Sequence, residues 1–335
     1  MKKSKEKPLF KLVLVLILSA SCSLTFSSDL IQTDLPPQRV ILDTDIDSDV
    51  DDTGALAMLL NLHKKGIIEL LGIITTSDDP YAPVCVSAIT TYYGCSEIPV
   101  GFLMGQHTLT NHSRYTKFIA DEFPSKLSSW SMAEVSTTLY RKLLAQSPDE
   151  SVIIITIGHL SSLMRLLQSP SDKISRIDGM ELAAKKVTKW ICMGGEYPKG
   201  KEANFGRPDP GSTVYCLNHW DKEIIFCGWE AGSKVITGGS NLKSLLKTGH
   251  PVYRAYELYN NFEGRSSWDQ IAVLQLTGMA DKYFSFSRNG RCEVKPDGSN
   301  KWRDDPSCKQ KYVRIRPSVK IKDIEYYIDN LISGA

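Results

Sequence analysis

Residues 40–52 read VILDTDIDSDVDD, three apolar residues followed by six aspartates within ten positions. Each carboxylate raises the cost of ionising its neighbours, so this density of like charge is unfavourable without a compensating partner. The apolar run is typical of a buried strand, and oxygen-rich clusters suit hard cations such as calcium or magnesium. The stretch therefore predicts a metal-centred active site where a strand ends and a helix begins.

Apolar runs and helical patterns alternate along most of the chain. The predicted strands are Val40–Asp43, Leu70–Thr75, Val152–Ile157, Val187–Met193 and Ile224–Phe226, and the predicted helices are Asp52–Leu62, Val84–Tyr93, Met132–Ala145 and Leu160–Leu167. Unbroken apolar strands alternating with helices indicate an α/β fold with a mostly parallel central sheet flanked by helices, of the Rossmann-like kind. No linker, repeat or charge block divides residues 38–335, which we expect to form a single domain with its ligand site at the carboxyl ends of the strands.

The first 28 residues have the plan of a secretory signal peptide. A lysine-rich start is followed by the apolar run Leu12–Leu18 and by small residues. The segment Leu18-Ser19-Ala20-Ser21-Cys22 also resembles a lipoprotein cleavage site, so plain cleavage and a lipid anchor at Cys22 both stay open. We expect an exported protein that is periplasmic, membrane-anchored or extracellular. Loss of residues 1–21 would change the formal net charge from +2 to −2, which gives no reason to expect a nucleic-acid or membrane-surface partner.

The cysteines beyond Cys22 show no metal or redox motif. No CxxC pair occurs, which argues against zinc binding and against thioredoxin-like chemistry. In an oxidising compartment Cys292 and Cys308, which flank a polar segment, could close a loop as a disulfide. Cys192 lies within an apolar run and is predicted to be a buried thiol. The spacing alone does not fix the pairing.

Three other interpretations of the aspartate run fit less well. Helix capping accounts for Asp51 and Asp52 but not for six aspartates. A calcium-binding EF-hand loop needs glycine and glutamate where this chain has Ser48 and Gly54. An aspartyl-phosphate phosphatase motif would have threonine or valine where Asp47 stands.

The segment instead resembles the N-terminal motif of the nucleoside hydrolase family, of the inosine–uridine-preferring type, in its longer form. The turn Thr156–Ser162 is similar to the family's strand-end GPLTN turn. Met193-Gly194-Gly195, Glu202–Phe205 and Asp209-Pro210 resemble its MGG…ExN…DP element, and Ser267–Val273 resembles the late element that contributes the final aspartate. Four motifs in the family's order extend the resemblance over most of the chain.

The resemblance implies calcium-dependent (Ca²⁺) hydrolysis of the N-glycosidic bond of ribonucleosides to ribose and free base. By position, Asp45 would be a metal ligand and the general base for the attacking water. Asp52, Asp269 and the backbone carbonyl of Ile157 would be further ligands. Asp51 would accept hydrogen bonds from the ribose hydroxyls.

The resemblance also implies several substrate contacts. Glu202 and Asn204 match residues that hold the outer ribose hydroxyls, and Glu196 stands where the family has an asparagine. Asp78 or Asp79 occupies the place of another ribose-contacting asparagine, although either could simply cap a helix. For the base we expect contacts from two loops near the site, Gly105–Tyr115 and Tyr253–Ser266.

The chain departs from the family pattern in its aspartate loop and at the leaving group. Asp47 replaces a residue that is usually glycine, and Asp49 is predicted to face solvent. Trp268 stands where many relatives have a histidine that protonates the departing base. An indole can stack on a base but cannot protonate it, and ordinary packing explains the residue equally well. Among the histidines, His159, beside the Ile157 carbonyl, is the one to test.

Three functions therefore stay open. The first is a ribonucleoside hydrolase, the second a calcium- and ribosyl-binding module with weak or no catalysis, and the third a hydrolase of another ribosyl substrate. In each case the partner is a small molecule, and the sequence leaves a homo-oligomer possible.

Overall fold

The computed structural model describes residues 36–105 and 109–335. The predicted signal peptide and Cys22 lie outside the described residues. The described residues all belong to one compact unit. Within the described ranges, no helix combines the length and the apolar character needed to cross a bilayer.

The centre of the fold is a large, mostly parallel sheet. The strands, in chain order, are β1 Gln38–Thr44, β2 Ile68–Thr75, β3 Val100–Phe102, β4 Glu134–Val135, β5 Val152–Thr156, β6 Val187–Met193, β7 Lys199–Gly200, β8 Glu223–Cys227, β9 Ile236–Thr237, β10 Arg265–Ser266, β11 Phe284–Phe286, β12 Gly290–Val294, β13 Asn300–Asp304 and β14 Gln310–Ile315. The sheet has the order β4-β3-β2-β1-β5-β6-β8-β14-β12-β13-β7, with β11 also paired to β14. Strands from β4 to β14 in this order run parallel, whereas β7, β11, β12 and β13 add antiparallel pairs. The predicted α/β fold class is confirmed.

The chain order reverses at β1. This strand pairs with β2 on one side and with β5 on the other, so that Asp43 lies opposite both Ile74 and Thr156. In open α/β sheets such a reversal leaves a cleft at the carboxyl ends of the two strands, because the following connections diverge to opposite faces. The loop after β1, which carries the aspartates, lies at this cleft.

Helices cover the sheet. They are α1 Asp51–Lys64, α2 Ala82–Tyr92, α3 Thr116–Glu122, α4 Ser136–Ala145, α5 Ser161–Leu167, α6 Gly179–Lys186, α7 Ala203–Gly206, α8 Pro210–His219, α9 Trp229–Gly232, α10 Ser240–Leu245, α11 Pro251–Asn260, α12 Trp268–Leu274, α13 Ala280–Tyr283 and α14 Ile321–Ser333. In β1, Val40 and Leu42 belong to a core cluster with α1, whereas Ile41 belongs to a second cluster with α4 and α5. The strand is buried on both faces, which explains its unbroken apolar sequence.

Two predicted elements differ from the structure. The helix predicted at Met132–Ala145 begins only at Ser136, because Glu134–Val135 pair with β3 as an edge strand. The predicted loop Tyr253–Ser266 is largely the helix α11. Pro251 occupies the first turn of this helix, and the His250 ring accepts a hydrogen bond from the Val252 N–H, so the helix starts with a proper cap.

The suggested disulfide is not formed. Cys292 and Cys308 are both free thiols, as are the other cysteines of the described residues. Cys292 is buried in β12 and lies 3.5 Å from the Tyr197 hydroxyl, which donates to its sulfur. Cys192 is a buried thiol as predicted.

Candidate active site

A cavity of about 830 Å³ opens at the carboxyl ends of β1 and β5. The acidic residues that line it are Asp45, Asp47, Asp49, Asp51, Asp52, Asp78, Glu202 and Asp269. Ile157, Asn204 and Trp268 line it as well. Of the predicted site residues, all except Glu196 therefore meet in one cavity, although they come from segments more than 200 residues apart.

The aspartate loop is held from outside by distant side chains. Asp49 accepts a hydrogen bond of 2.8 Å from the Arg265 guanidinium and one of 2.9 Å from the Tyr259 hydroxyl. Its backbone carbonyl accepts a third, of 2.6 Å, from the Tyr115 hydroxyl. Asp47 accepts from the Ser77 hydroxyl. Asp49, predicted to face solvent, is half-buried, and its charge is paired with Arg265.

Three buried carboxylates meet at the bottom of the cavity. Oxygens of Asp51, Asp52 and Asp269 all lie within 4.8 Å of one another, and each side chain is at most 4% exposed. Burial is the main cause that raises the pKa of all three, and repulsion between the carboxylates adds to it; for Asp51 the value reaches about 7. The Thr44 hydroxyl donates to Asp52, and the Asp269 N–H donates to Asp51 over 3.3 Å. These few donors leave most of the negative charge uncompensated.

Such a group fits a hard cation. Its donor set consists of carboxylate oxygens only, which is the chemistry that calcium and magnesium prefer. A bound cation would also stabilise the charged form of these carboxylates against both their burial and their mutual repulsion. Asp51 belongs to this group of carboxylates, whereas the family resemblance implied that it contacts the ribose.

Asp45 lies against the turn that follows β5. Burial, and then repulsion from Asp47, raises the pKa of the Asp45 carboxyl well above its usual range. A Cβ at Gly158 would lie 2.6 Å from Asp45 Cγ and 2.8 Å from its backbone nitrogen. Only glycine leaves room for Asp45 at position 158. The turn after β5 and the aspartate loop therefore pack directly against each other.

Glu202 and Asn204 occupy one wall of the cavity. The Glu202 carboxylate caps α7 by accepting from the backbone N–H groups of Asn204, Phe205 and Gly195, at 2.7, 3.2 and 2.9 Å. The Asn204 side-chain amide donates to the carbonyl of Ile157 over 3.3 Å. Asn204 thus contacts the same carbonyl that the sequence predicts as a metal ligand.

The aromatic wall contains Trp268 and Trp229. The Trp268 indole N–H donates to the backbone carbonyl of Trp229 over 3.0 Å, and the Arg265 guanidinium lies 4.8 Å from the indole ring. Trp268 is half-buried, whereas Trp229 is 46% exposed. Since the indole N–H is already bonded and Arg265 covers the ring, Trp229 offers the more open surface for a flat group.

The two candidate aspartates after β2 have different surroundings. Asp79 is fully buried and accepts hydrogen bonds from the Tyr81 N–H, Thr116 and Asn111, so it holds its own loop in place. Asp78 lines the cavity, with the His112 ring 3.8 Å away. Of the predicted base-binding loops, the cavity lining includes His112 from the first and Arg265 from the second.

The structure does not bring Glu196 into the cavity lining. Its backbone N–H and carbonyl pair with the side chain of Asn300, at 3.0 and 2.9 Å. A Cβ at Gly200 would lie 2.0 Å from a carboxylate oxygen of Glu196, so this side chain folds back over the short strand β7. The antiparallel strands β13 and β7, which the sequence analysis missed, therefore determine where Glu196 lies.

His159 lines the cavity as the end of a chain of hydrogen bonds. Its Nδ1 lies 3.0 Å from the Ser161 hydroxyl, which donates to Asp209 over 2.8 Å. Since the hydroxyl proton goes to Asp209, the Ser161 oxygen is left to accept from the histidine. Burial lowers the pKa of His159 to about 4, so the ring is neutral. The Asp209-Pro210 motif thus orients a histidine in addition to capping α8.

Three cationic side chains at the cavity were not predicted individually: Arg265, Lys201 and Arg207. Lys201 pairs with the exposed Asp297 over 3.3 Å. Arg207 forms no ion pair with any residue that the structure describes. The aspartate run itself was the available signal, because so much buried negative charge requires nearby cations.

The solved structures most similar to this chain include a plant nucleoside hydrolase, with a TM-score of 0.69 and 16% identity over 90% of this chain and 100% of the plant enzyme. The inosine–uridine preferring nucleoside hydrolase from Bacillus anthracis gives 0.63 and 16% identity over 89% and 100%. The type III effector protein XopQ, complexed with adenosine diphosphate ribose, gives 0.61 and 14% identity over 89% and 94%. A scan against known protein families and a search of curated proteins give no match. The chain has the nucleoside hydrolase fold.

Proposed function

We propose that this protein hydrolyses the N-glycosidic bond of ribonucleosides, releasing ribose and the free base. The observation that carries the proposal is the group of buried carboxylates, Asp51, Asp52 and Asp269, at the reversal point of a nucleoside hydrolase fold. Breaking this bond leaves positive charge on the ribose, and a site rich in fixed negative charge stabilises that transition state.

Asp45 is proposed as the general base. The oxygen of a water molecule bonds to C1′ of the ribose while the bond from C1′ to the base nitrogen breaks, and its electron pair leaves with the base. The proton of the water passes to the Asp45 carboxylate, which lines the cavity beside the turn after β5. Gly158, which has no side chain, leaves the space that this carboxylate occupies.

Calcium is the proposed cofactor, held by Asp45, Asp52, Asp269 and the carbonyl of Ile157, with Asp51 close enough to share in this role. When bound, it would supply the positive charge that acidifies a water molecule and orients the ribose hydroxyls. Asn204 donates to the Ile157 carbonyl and can turn to the ribose when that carbonyl takes up a cation. Glu202, whose carboxylate is held by backbone N–H groups, is proposed to accept from an outer hydroxyl.

The leaving base is proposed to stack on the aromatic wall, without an acid from Trp268. The indole N–H is bonded to the Trp229 carbonyl, and an indole cannot transfer a proton at neutral pH. Bases that leave easily as anions, or that take a proton from water, should therefore be the better substrates.

A direct assay tests the proposal. Purified protein is incubated with a panel of ribonucleosides and their 2′-deoxy counterparts, with calcium or with a chelator, and the released sugar is measured. We expect release from ribonucleosides, a sharp loss on chelation and poor release from the deoxy compounds. Absence of release from every nucleoside in calcium would refute the proposal, and retained calcium-dependent ribose binding would then favour a binding module.

A second candidate is a larger ribosyl compound with a diphosphate, such as adenosine diphosphate ribose. It is favoured by Arg207, a cation at the cavity without an ion-pair partner among the described residues, together with Lys201. The similar effector structure holds this ligand. Calorimetric titration with adenosine diphosphate ribose and with adenosine separates the candidates, because Arg207→Ala should weaken only the binding of the diphosphate.

Export of the protein, with or without a lipid anchor at Cys22, is proposed from the first 28 residues alone. A homo-oligomer likewise stays a prediction. Fractionation of cells that express the full chain would test the first, and size-exclusion chromatography with light scattering would test the second.

A further inference from the structure

The end of α1 opposite the cavity carries a second group of potential metal ligands. His63 lies in the last turn of α1, and Cys95 and Glu97 lie in the loop between α2 and β3. One ligand atom from each of the three residues lies within 4.8 Å of the other two. Asp52, at the start of the same helix, lies roughly 16 Å away, judged from the rise of an α-helix. The group is therefore separate from the candidate active site.

The loop that carries Cys95 is held rigidly by its backbone. The Cys95 N–H donates to the carbonyl of Thr90 over 2.8 Å, and its carbonyl accepts from the Ile98 N–H over 3.1 Å. The Cys95 side chain is only 4% exposed, whereas Glu97 is exposed and His63 is half-buried. The group thus has a buried sulfur and a face open to solvent through which an ion can enter.

His63 also has a partner that suits a metal ligand. Its Nδ1 accepts a hydrogen bond of 3.3 Å from the Leu70 N–H and lies 3.4 Å from the carbonyl of Ile68, at the start of β2. Histidines that bind metals commonly donate their other ring N–H to a backbone carbonyl, which fixes the ring and its tautomer. Because the Leu70 N–H donates to Nδ1, the ring proton lies on Nε2, and binding of an ion at Nε2 requires that proton to shift to Nδ1, where the Ile68 carbonyl can accept it.

We propose that His63, Cys95 and Glu97 form a binding site for a borderline transition-metal ion, with zinc as the expected occupant. A thiolate, an imidazole and one carboxylate are the usual protein ligands of zinc, and three of them leave the fourth tetrahedral position for water. Calcium and magnesium prefer oxygen ligands only, so they are excluded from this group. The lack of a CxxC pair led to the expectation that the cysteines bind no zinc, but this group takes its ligands from two segments of the chain, which a CxxC search does not detect.

The proposed ion joins the end of α1 to the loop that leads into β3. Neither segment is cross-linked here by a disulfide, and Cys95 donates only weakly, over 3.7 Å, to the Tyr93 carbonyl. Zinc binding requires the thiolate, so a proton leaves Cys95 as the ion enters. The result is a cross-link that stabilises this edge of the sheet and that a chelator removes.

Cobalt titration tests the site, since cobalt replaces zinc and reports its ligands by absorption. The protein is stripped of metal, kept reduced with a phosphine, and titrated with cobalt. We expect one equivalent to produce thiolate-to-cobalt charge-transfer absorption that zinc abolishes and that excess calcium leaves unchanged. Cys95→Ser should remove this absorption, and His63→Gln and Glu97→Gln should each weaken cobalt binding roughly tenfold or more.

Cys308→Ser is the control, because Cys308 is a partly exposed thiol that lies far along the chain from Cys95. It should leave the absorption intact, as should Asp269→Asn. Absorption that survives in Cys95→Ser, or that disappears in Cys308→Ser, would overturn the proposal, as would a wild-type protein that shows none. Glu97 is exposed, so its variant keeps the test valid even if Cys95→Ser unfolds.

Discussion

At its N-terminal end, helix α1 brings Asp51 and Asp52 against Asp269, whereas at its C-terminal end it brings His63 against Cys95 and Glu97. The first group is buried and offers only oxygen; the second passes from buried to exposed and offers nitrogen, sulfur and oxygen. Donor type decides which cations bind, so the two groups at the ends of this helix should bind different cations. The oxygen-only group should prefer calcium, and the group with nitrogen and sulfur should prefer zinc. The comparison shows that a cluster of potential ligands indicates which cation it binds only when burial and donor atoms are considered together.

The largest expected effect concerns the acidic end of α1. Asp45→Asn keeps the size of the side chain but removes the proposed base, and general-base catalysis contributes about 10²–10⁴-fold to rates. We expect kcat for ribonucleosides to fall by about that factor. The exposed Asp121, changed to Asn, is the control and should retain wild-type kcat. Cys95→Ser, at the other end, should retain it as well; full activity in Asp45→Asn would contradict the assignment.

The next effect isolates the position of Asp45. In Gly158→Ala the new methyl group would lie 2.6 Å from Asp45 Cγ, so the carboxylate must move. A displacement of about 1 Å in an active site can cost about 10²-fold in rate, which is the fall in kcat/KM that we expect. Gly278→Ala, whose new methyl group meets no atom within 4 Å, is the matched control. Equal activities of the two variants would show that Gly158 has no positioning role.

Calcium should change the pH dependence of stability. Burial raises the pKa of Asp47 to about 6 and of Asp51 to about 7, from 3.8 in the unfolded chain. Without a cation the folded state therefore binds more protons, and the free energy of unfolding should fall as the pH rises from about 4 to 7. Calcium at 100 times its dissociation constant should restore about 2.7 kcal/mol at neutral pH and less at pH 5.

Urea unfolding across pH, with calcium or chelator, measures this effect. Cys95→Ser should give the same calcium response as the wild type, which sharpens the contrast between the two ends of α1. Stability of the chelated protein that rises from pH 4 to 7 would contradict the charge assignment of the acidic group.

The smallest effect concerns the support of the aspartate loop. Tyr259→Phe removes a hydrogen bond of 2.9 Å to Asp49, and we expect a loss of about 1 kcal/mol in the free energy of unfolding. Tyr253→Phe on the same helix is the control, since the Tyr253 hydroxyl makes no hydrogen bond with the described residues. Urea unfolding of both variants measures the difference. Equal midpoints for Tyr259→Phe and Tyr253→Phe would mean that the hydrogen bond from Tyr259 to Asp49 does not contribute to stability.

The N-terminal part of the fold and most of the candidate site could be predicted because their signals are local. An unbroken apolar strand such as β1 is recognisable from its sequence, and its carboxyl end must lie at the ligand-binding edge of a parallel sheet. The predicted strand Val187–Met193 agrees with β6 at both ends. The aspartates after β1 consequently came together with Ile157 and Asp269 in one cavity.

The rest could not be predicted because it depends on pairing over long distances. The Asp49–Arg265 ion pair joins residues 216 positions apart, and nothing near Asp49 in the sequence indicates its partner. Glu196 is turned away by Asn300, which belongs to an antiparallel strand too polar to read as buried. Helix α11 was missed because its aromatic and polar residues resemble a binding loop, although Pro251 marked its start.

The attachment of the aspartate loop to Arg265 and Tyr259 has a consequence for how the chain is made. A ribosome releases the six aspartates long before these two residues emerge, so the growing chain holds its acidic loop without the groups that steady it. Mutual repulsion between the aspartates opposes closure of that loop until Arg265 can pair with Asp49, and contacts between residues so far apart in sequence form slowly. The cleft can therefore take its final shape only after residue 265 has been synthesised.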